Sequence, residues 1–104
     1  MDIQINGKRV TLRDKIEARW FDELLELVEA FNDTTRKKLS FMPIPLKFTE
    51  LVKLGQMSVE SWEFDGDPKE NESWARLDLT LELLPLITQL SEWLGSKFKP
   101  PKNS

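Results

Sequence analysis

The chain contains no cysteine, no histidine and no tyrosine. Without cysteine it can form neither a disulfide nor a thiolate metal site, which permits a reducing interior. Without histidine and tyrosine it lacks most of the side chains that serve as general bases or activated nucleophiles near neutral pH. Its serines have no imidazole partner, and no spacing supports a Ser–Lys pair. Four glycines are scattered along the chain, so no glycine-rich phosphate loop exists. No uncharged run approaches the ~20 apolar residues that cross a bilayer. Asp2 follows Met1 and the first apolar residues alternate with polar ones, so no targeting segment is expected. Basic excess is missing too: the net charge is −3 and the pI near 5.0, unlike a general phosphate-backbone binder. These absences point to a cytoplasmic, non-enzymatic binding protein, with no cofactor, metal, nucleic acid or membrane in its function.

What remains is one domain's worth of chain, 104 residues, 39% apolar and 32% charged. The clearest local signal is DIQINGKRVTL, residues 2–12. Asn6-Gly7 suits a type I′ turn, whose two central residues need positive φ. Folding about it pairs Ile5 with Lys8 and Ile3 with Val10. Met1 and Leu12 then share that face, while Asp2, Gln4, Arg9 and Thr11 point away. A one-residue slip would scatter the apolar set, which fixes the register. Two strands alone are marginal, so the apolar face needs a cover.

Thr11 and Asp14 resemble a capping arrangement, and a helix is expected from Asp14 to about Asn32. Its core stripe is Ile16, Trp20, Leu24, Leu27, Val28 and Phe31. Phe21 and Leu25, with Ala18 included, widen the apolar arc to roughly 200°, against the 100° or so that a core-facing helix requires. Two readings account for the excess: a partner surface, or a central helix covered on both sides by the chain itself. A second long helix is expected over Leu79–Phe98, with Leu79, Leu83, Leu86, Ile87, Leu90, Trp93 and Leu94 on one arc of roughly 140°. Leu81 and Leu84 fall outside that stripe. Asp78 or Thr80 caps this helix, and Pro85 should kink or restart it.

Between the long helices, Arg36, Lys37 and Lys38 follow the first helix, where basic residues complement its dipole. A phosphate contact is the sharper alternative. FMPIPL (41–46) reads as an extended apolar strap, or else as a Pro-rich ligand for a partner groove. KFTELVKL (47–54) is a short amphipathic helix, with Phe48, Leu51, Val52 and Leu54 inward and Gly55 placed to end it. SVESWEF (58–64) is a candidate third strand, joining the hairpin in a small antiparallel sheet. Asp65-Gly66 turns the chain, and Asp67-Pro68-Lys69-Glu70 has the residue types of a helix start. Residues 1–95 thus form one α+β domain: a hairpin and a third strand packed against two long amphipathic helices and a short one. Residues 96–104 make a basic tail expected to fray.

Two clusters invite a chemical reading. Glu63, Asp65, Asp67, Glu70 and Glu72 lack the spacing of a calcium loop and are interrupted by Pro68 and Lys69, so a solvated turn and a helix cap explain them. Trp20, Trp62, Trp74 and Trp93 lack the basic groove of a base-stacking platform. Core packing explains three of them, and Trp74 sits in a polar segment.

The pattern I-x-I-N-G-K-x-V-x-L-R leading into a helix (Ile3 to Arg13), the V-x-S-W-x-F strand with its polar Asp/Gly/Pro turn (Val59 to Pro68) and the Leu-rich C-terminal helix together resemble a family. It is that of the tail assembly chaperones of long-tailed bacteriophages, and FMPIPL departs from its pattern. The resemblance implies a non-enzymatic viral protein of the host cytoplasm that coats the tape measure protein, recruits tail tube subunits and self-associates as a homo-oligomer. A longer frameshifted form is common in that family. From the helical wheels, Phe21, Leu25, Leu81 and Leu84 are the candidate partner-binding residues, receiving an amphipathic helix. The acidic surface favours a basic client. The alternative is a small phage or bacterial regulator that binds and inhibits a host protein.

Overall fold

The computed structural model describes residues 1–33, 35 and 45–97. The hairpin forms in the expected register, with β1 (Asp2–Ile5) antiparallel to β2 (Lys8–Leu12). Asn6 and Gly7 both take positive φ, 52° and 77°, as the two-residue turn demands. Ile5, Val10 and Leu12 are buried on one face. Lys8 shares that face and holds its ammonium over the Phe64 ring, 5.4 Å from the centroid.

The third strand, β3 (Val59–Trp62), adds to β2, giving a three-stranded antiparallel sheet in the order β1-β2-β3. Strict alternation would bring Glu60 opposite Leu12 on the core face. Instead Val10 pairs with Trp62, Thr11 with Ser61 and Leu12 with Val59, so a bulge skips Glu60. Val59 goes into the core, and Glu60 faces solvent.

The helix expected from Asp14 starts later. A 3-10 turn at Ala18–Trp20 leads into α1 (Phe21–Asn32). Thr11 is not free to cap it, because Thr11 pairs with Ser61 and its hydroxyl donates to Asp2 at 2.8 Å. The ladder also holds Arg13, whose N–H donates to the Ser58 carbonyl. Residues 14–17 therefore cross from sheet to helix without helical hydrogen bonds.

The short helix is longer than its sequence pattern suggested: α2 runs Phe48–Ser58, straight through Gly55. Gly55 does not end it. The Trp74 indole lies on Gly55 so closely that a Cβ there would stand 2.0 Å from a ring carbon. Leu51, Val52, Leu54 and Met57 face the core as α2 does, but Phe48, in its first turn, stays 44% exposed. After β3 the chain turns at Gly66 (φ 85°). The Asp67 carboxylate accepts the Lys69 N–H instead of starting a helix, and the single turn α3 (Asn71–Ala75) begins after Glu70.

Asp78 caps the last helical segment, accepting N–H bonds from Leu81 (2.8 Å) and Thr80 (3.0 Å). The segment opens with a wide π turn, Leu79–Leu83, closed by the Leu83 N–H on the Asp78 carbonyl, and continues as α4 (Leu84–Lys97). Pro85 sits where the wide turn gives way to the α-helix, so its missing N–H falls at the change of register. The extra residue in that turn also rotates Leu79 away from the α4 stripe, leaving it 57% exposed against expectation. Leu83, Leu86, Ile87, Leu90 and Trp93 are buried as the stripe requires. The helix continues to Lys97, so Ser96 and Lys97 are not tail; residues 98–104 lie outside the described part. So do Arg36, Lys37 and Lys38, and Phe41 to Ile44 of the strap.

One hydrophobic cluster joins the sheet's inner face to α2, α4, Phe64 and Trp74. Trp74 is 1% exposed, donates its indole N–H to the Pro68 carbonyl at 2.7 Å and meets Trp62 at 4.7 Å between ring centroids. Trp62 of β3 and Phe64, two residues beyond the strand's end, meet edge to face at 5.3 Å. α1 rests on α2, through Leu27 and Ala30, its two buried residues. Among the described residues, no helix is long and apolar enough to cross a membrane.

Candidate functional site

The apolar arc of α1 is wider than the surface α2 can cover. Its inner edge, Leu27 and Ala30, is buried. Its outer part is solvent-exposed in part: Phe21 is 62% exposed, with Leu25, Val28 and Phe31 each near half. Along the same side runs a groove of about 420 Å3. Leu24, Val28 and Phe31 of α1 form one wall, and Leu94 with Ser91 and Gly95 of α4 forms the other. Leu46, just before α2, and Leu54 reach it from below. Leu46 is buried, so the end of the expected apolar strap does meet the core. Volume and lining are those of a ligand or side-chain pocket, apolar with few polar groups.

The charges along α1 have one sign. Between Phe21 and Asp33 the chain carries Asp22, Glu23, Glu26, Glu29 and Asp33 and no basic residue. Glu26 meets Lys53 of α2 at 2.7 Å, tying the two helices together; this hydrogen bond and the carboxylate's charge raise the Lys53 pKa. Asp22 and Glu29, past Leu25 on the face of α1 turned away from the groove, have no basic partner among the described residues, and neither does Glu92 of α4. At the far end of α4, hydrogen bonds from the Leu81 N–H and from Thr80 hold the Asp78 carboxyl below its usual pKa.

The four residues proposed from the helical wheels do not form one patch. Phe21 and Leu25 continue the α1 wall outward from Val28, and both are exposed. Leu81 is 58% exposed in the π turn, and Leu84 is half-buried at the start of α4. Leu81 and Leu94 are thirteen positions apart, roughly 20 Å along the helix axis, so that pair lies at the opposite end of α4 from the groove. None of the four lines the groove itself. The sequence reading missed Val28 and Phe31 as surface residues, assigning them to the core stripe. The excess width of the arc signalled exposed residues, but only the placement of α2 decides which edge of the arc is covered.

The acidic segment is spent on local structure. Glu63 accepts the Arg9 N–H at 2.5 Å, and Asp67 closes the turn before α3. Among the described residues, no group of three or more carboxylates is arranged to hold a metal ion. Trp74, placed in the sequence within a polar segment, is a core residue, and Trp93 is buried as well.

Fold and groove together define a small α+β domain with an apolar cleft between α1 and α4. No protein-family model matches the chain, and comparisons with curated proteins and with solved structures likewise find no match.

Proposed function

We propose that this protein is a non-enzymatic assembly chaperone, of the kind made for the tails of long-tailed bacteriophages. It binds the tape measure protein and tail tube subunits in the host cytoplasm and self-associates. The sequence resemblance suggests the particular system. The observation that carries the binding role is the exposed apolar surface of α1 at Phe21, Leu25 and Val28, beside a groove. A contiguous apolar surface of this kind marks an interaction site more often than a solvated face. A long, apolar client helix is the partner such a surface is built to keep in solution.

The test is co-expression with a candidate tape measure protein from the same genome. That protein should stay soluble only when this chain is present. Phe21→Asp and Leu25→Asp, both at exposed positions of α1, should leave the chain folded by circular dichroism and reduce the rescue. A client equally soluble with and without this chain removes the reading.

A further inference from the structure

The tip of the β1–β2 hairpin and the π turn that opens the last helical segment meet through one carboxylate. The Glu82 side chain is only 12% exposed. Its Oε1 accepts the Asp78 N–H at 2.9 Å, and its Oε2 accepts a hydrogen bond from the Asn6 carboxamide nitrogen at 3.2 Å, across 76 positions of chain. The Lys8 ammonium stands 3.9 Å from the same Oε2. Asn6 itself is exposed, and it is the only asparagine in the sequence followed by glycine; the others precede Asp33, Glu72 and Ser104. We propose that Asn6 is a site of spontaneous deamidation, and that its product unfastens the hairpin tip from the π turn by setting a second carboxylate against Glu82.

The Gly7 main-chain nitrogen attacks the Asn6 carboxamide carbon. A bond forms between that nitrogen and Asn6 Cγ, the Cγ–Nδ2 bond breaks, and ammonia leaves with the proton that the Gly7 N–H gives up. Water then adds across the cyclic imide. Opening at Cγ leaves aspartate, and opening at the main-chain carbonyl leaves isoaspartate. Glycine favours the attack because it has no Cβ to hinder its own nitrogen. The space beside Gly7 is open, with nothing within 4 Å of a Cβ built there. The strand ladder ends at the Ile5–Lys8 pair, so the attacking nitrogen is not tied into the sheet. The bond from Asn6 to Glu82 lies at the surface and does not sequester the carboxamide.

In the product an oxygen replaces the donor nitrogen. Glu82 Oε2 loses a hydrogen bond and gains a facing anion, in a chain already at −3. Lys8 offsets part of the repulsion, because its ammonium meets the same oxygen. The isoaspartate form also adds one carbon to the main chain of a turn whose two-residue length sets the strand register. Water does not return a carboxylate to an amide, so the change runs one way. It falls beside the exposed leucines of the π turn, Leu79 and Leu81.

The experiment ages the full chain in mildly alkaline buffer and maps it by peptide mass spectrometry. Asn6 should convert at least about tenfold faster than Asn32 and Asn71, because it alone of the three precedes glycine. Asn6→Asp keeps a residue pair suited to the same turn and stands in for the aspartate product. The Glu82 and Leu83 amides, both bonded to the Asp78 carbonyl, should exchange hydrogen several-fold faster in that variant, with the α2 amides unchanged. In a Glu82→Gln background the increment caused by Asn6→Asp should vanish, and in a Lys8→Met background it should grow. Salt at about 0.5 M should shrink it. The acidic fraction isolated from the aged chain should exceed Asn6→Asp in the same readout, since it carries isoaspartate as well. Conversion of Asn6 no faster than of Asn71 overturns the proposal. So does native exchange at Glu82 and Leu83 in Asn6→Asp, or an increment that survives Glu82→Gln.

Discussion

The two sides of α2 are packed by opposite rules. On one side Trp74 is pressed onto Gly55, hydrogen-bonded to Pro68 and set against Trp62, with no atom to spare. On the other side α1 lies on α2 through Leu27 and Ala30 and the Lys53–Glu26 pair, and holds most of its apolar arc open. The first region behaves as a jigsaw in which volume changes are felt at once. The second is open enough to tolerate change. The two sides of α2 therefore contribute unequally to stability.

Substitutions that break this contrast should rank accordingly. Trp74→Ala empties the tight side and leaves the Pro68 carbonyl without its donor; a loss of about 3–5 kcal/mol in urea unfolding is expected. Gly55→Ala drives a methyl into the rigid indole and should lose about 1–3 kcal/mol, although alanine is the better helix former. If Gly55→Ala stabilised the protein, as it would at an open helical site, the close approach of Trp74 would be refuted. Asp78→Asn should lower Tm by a few degrees. The native carboxyl titrates below its ordinary 3.8, so its contribution is complete above that pH and disappears as pH falls through the lower native value. Acid titration of Tm should accordingly lose part of its slope below pH 3.8 in the variant. Smallest is Val28→Ser on the open side, expected within about 0.5 kcal/mol of the native stability. A loss of several kcal/mol there would mean that α1 is as tightly held as Trp74.

Much of the fold was legible because it follows from short-range rules. Asn6-Gly7 with alternating neighbours specified β1, β2 and their register, and the spacing Leu83, Leu86, Ile87, Leu90, Trp93 specified the buried face of α4. What escaped depends on contacts distant in sequence. Gly55 looks like a helix end until Trp74 arrives from nineteen positions away. The bulge that swaps Glu60 for Val59 is settled by Leu12 on the neighbouring strand, and Thr11 is claimed by that ladder before it can cap a helix. Leu79 leaves its stripe because the π turn shifts the phase by one residue. The candidate site was half legible. The surplus of Phe21 and Leu25 on a helical wheel announced an exposed face, whereas the groove beside Val28 and Phe31 needs α4 to create its second wall.

The skipped residue in β3 has a further effect. β3 is an outer strand of the sheet, and its bulge interrupts the row of backbone groups while turning a carboxylate outward at Glu60. Such an edge is a poor template for another strand. A chain that displays this much apolar surface along one helix thereby withholds one of its two sheet edges from the pairing through which small sheets run into fibres.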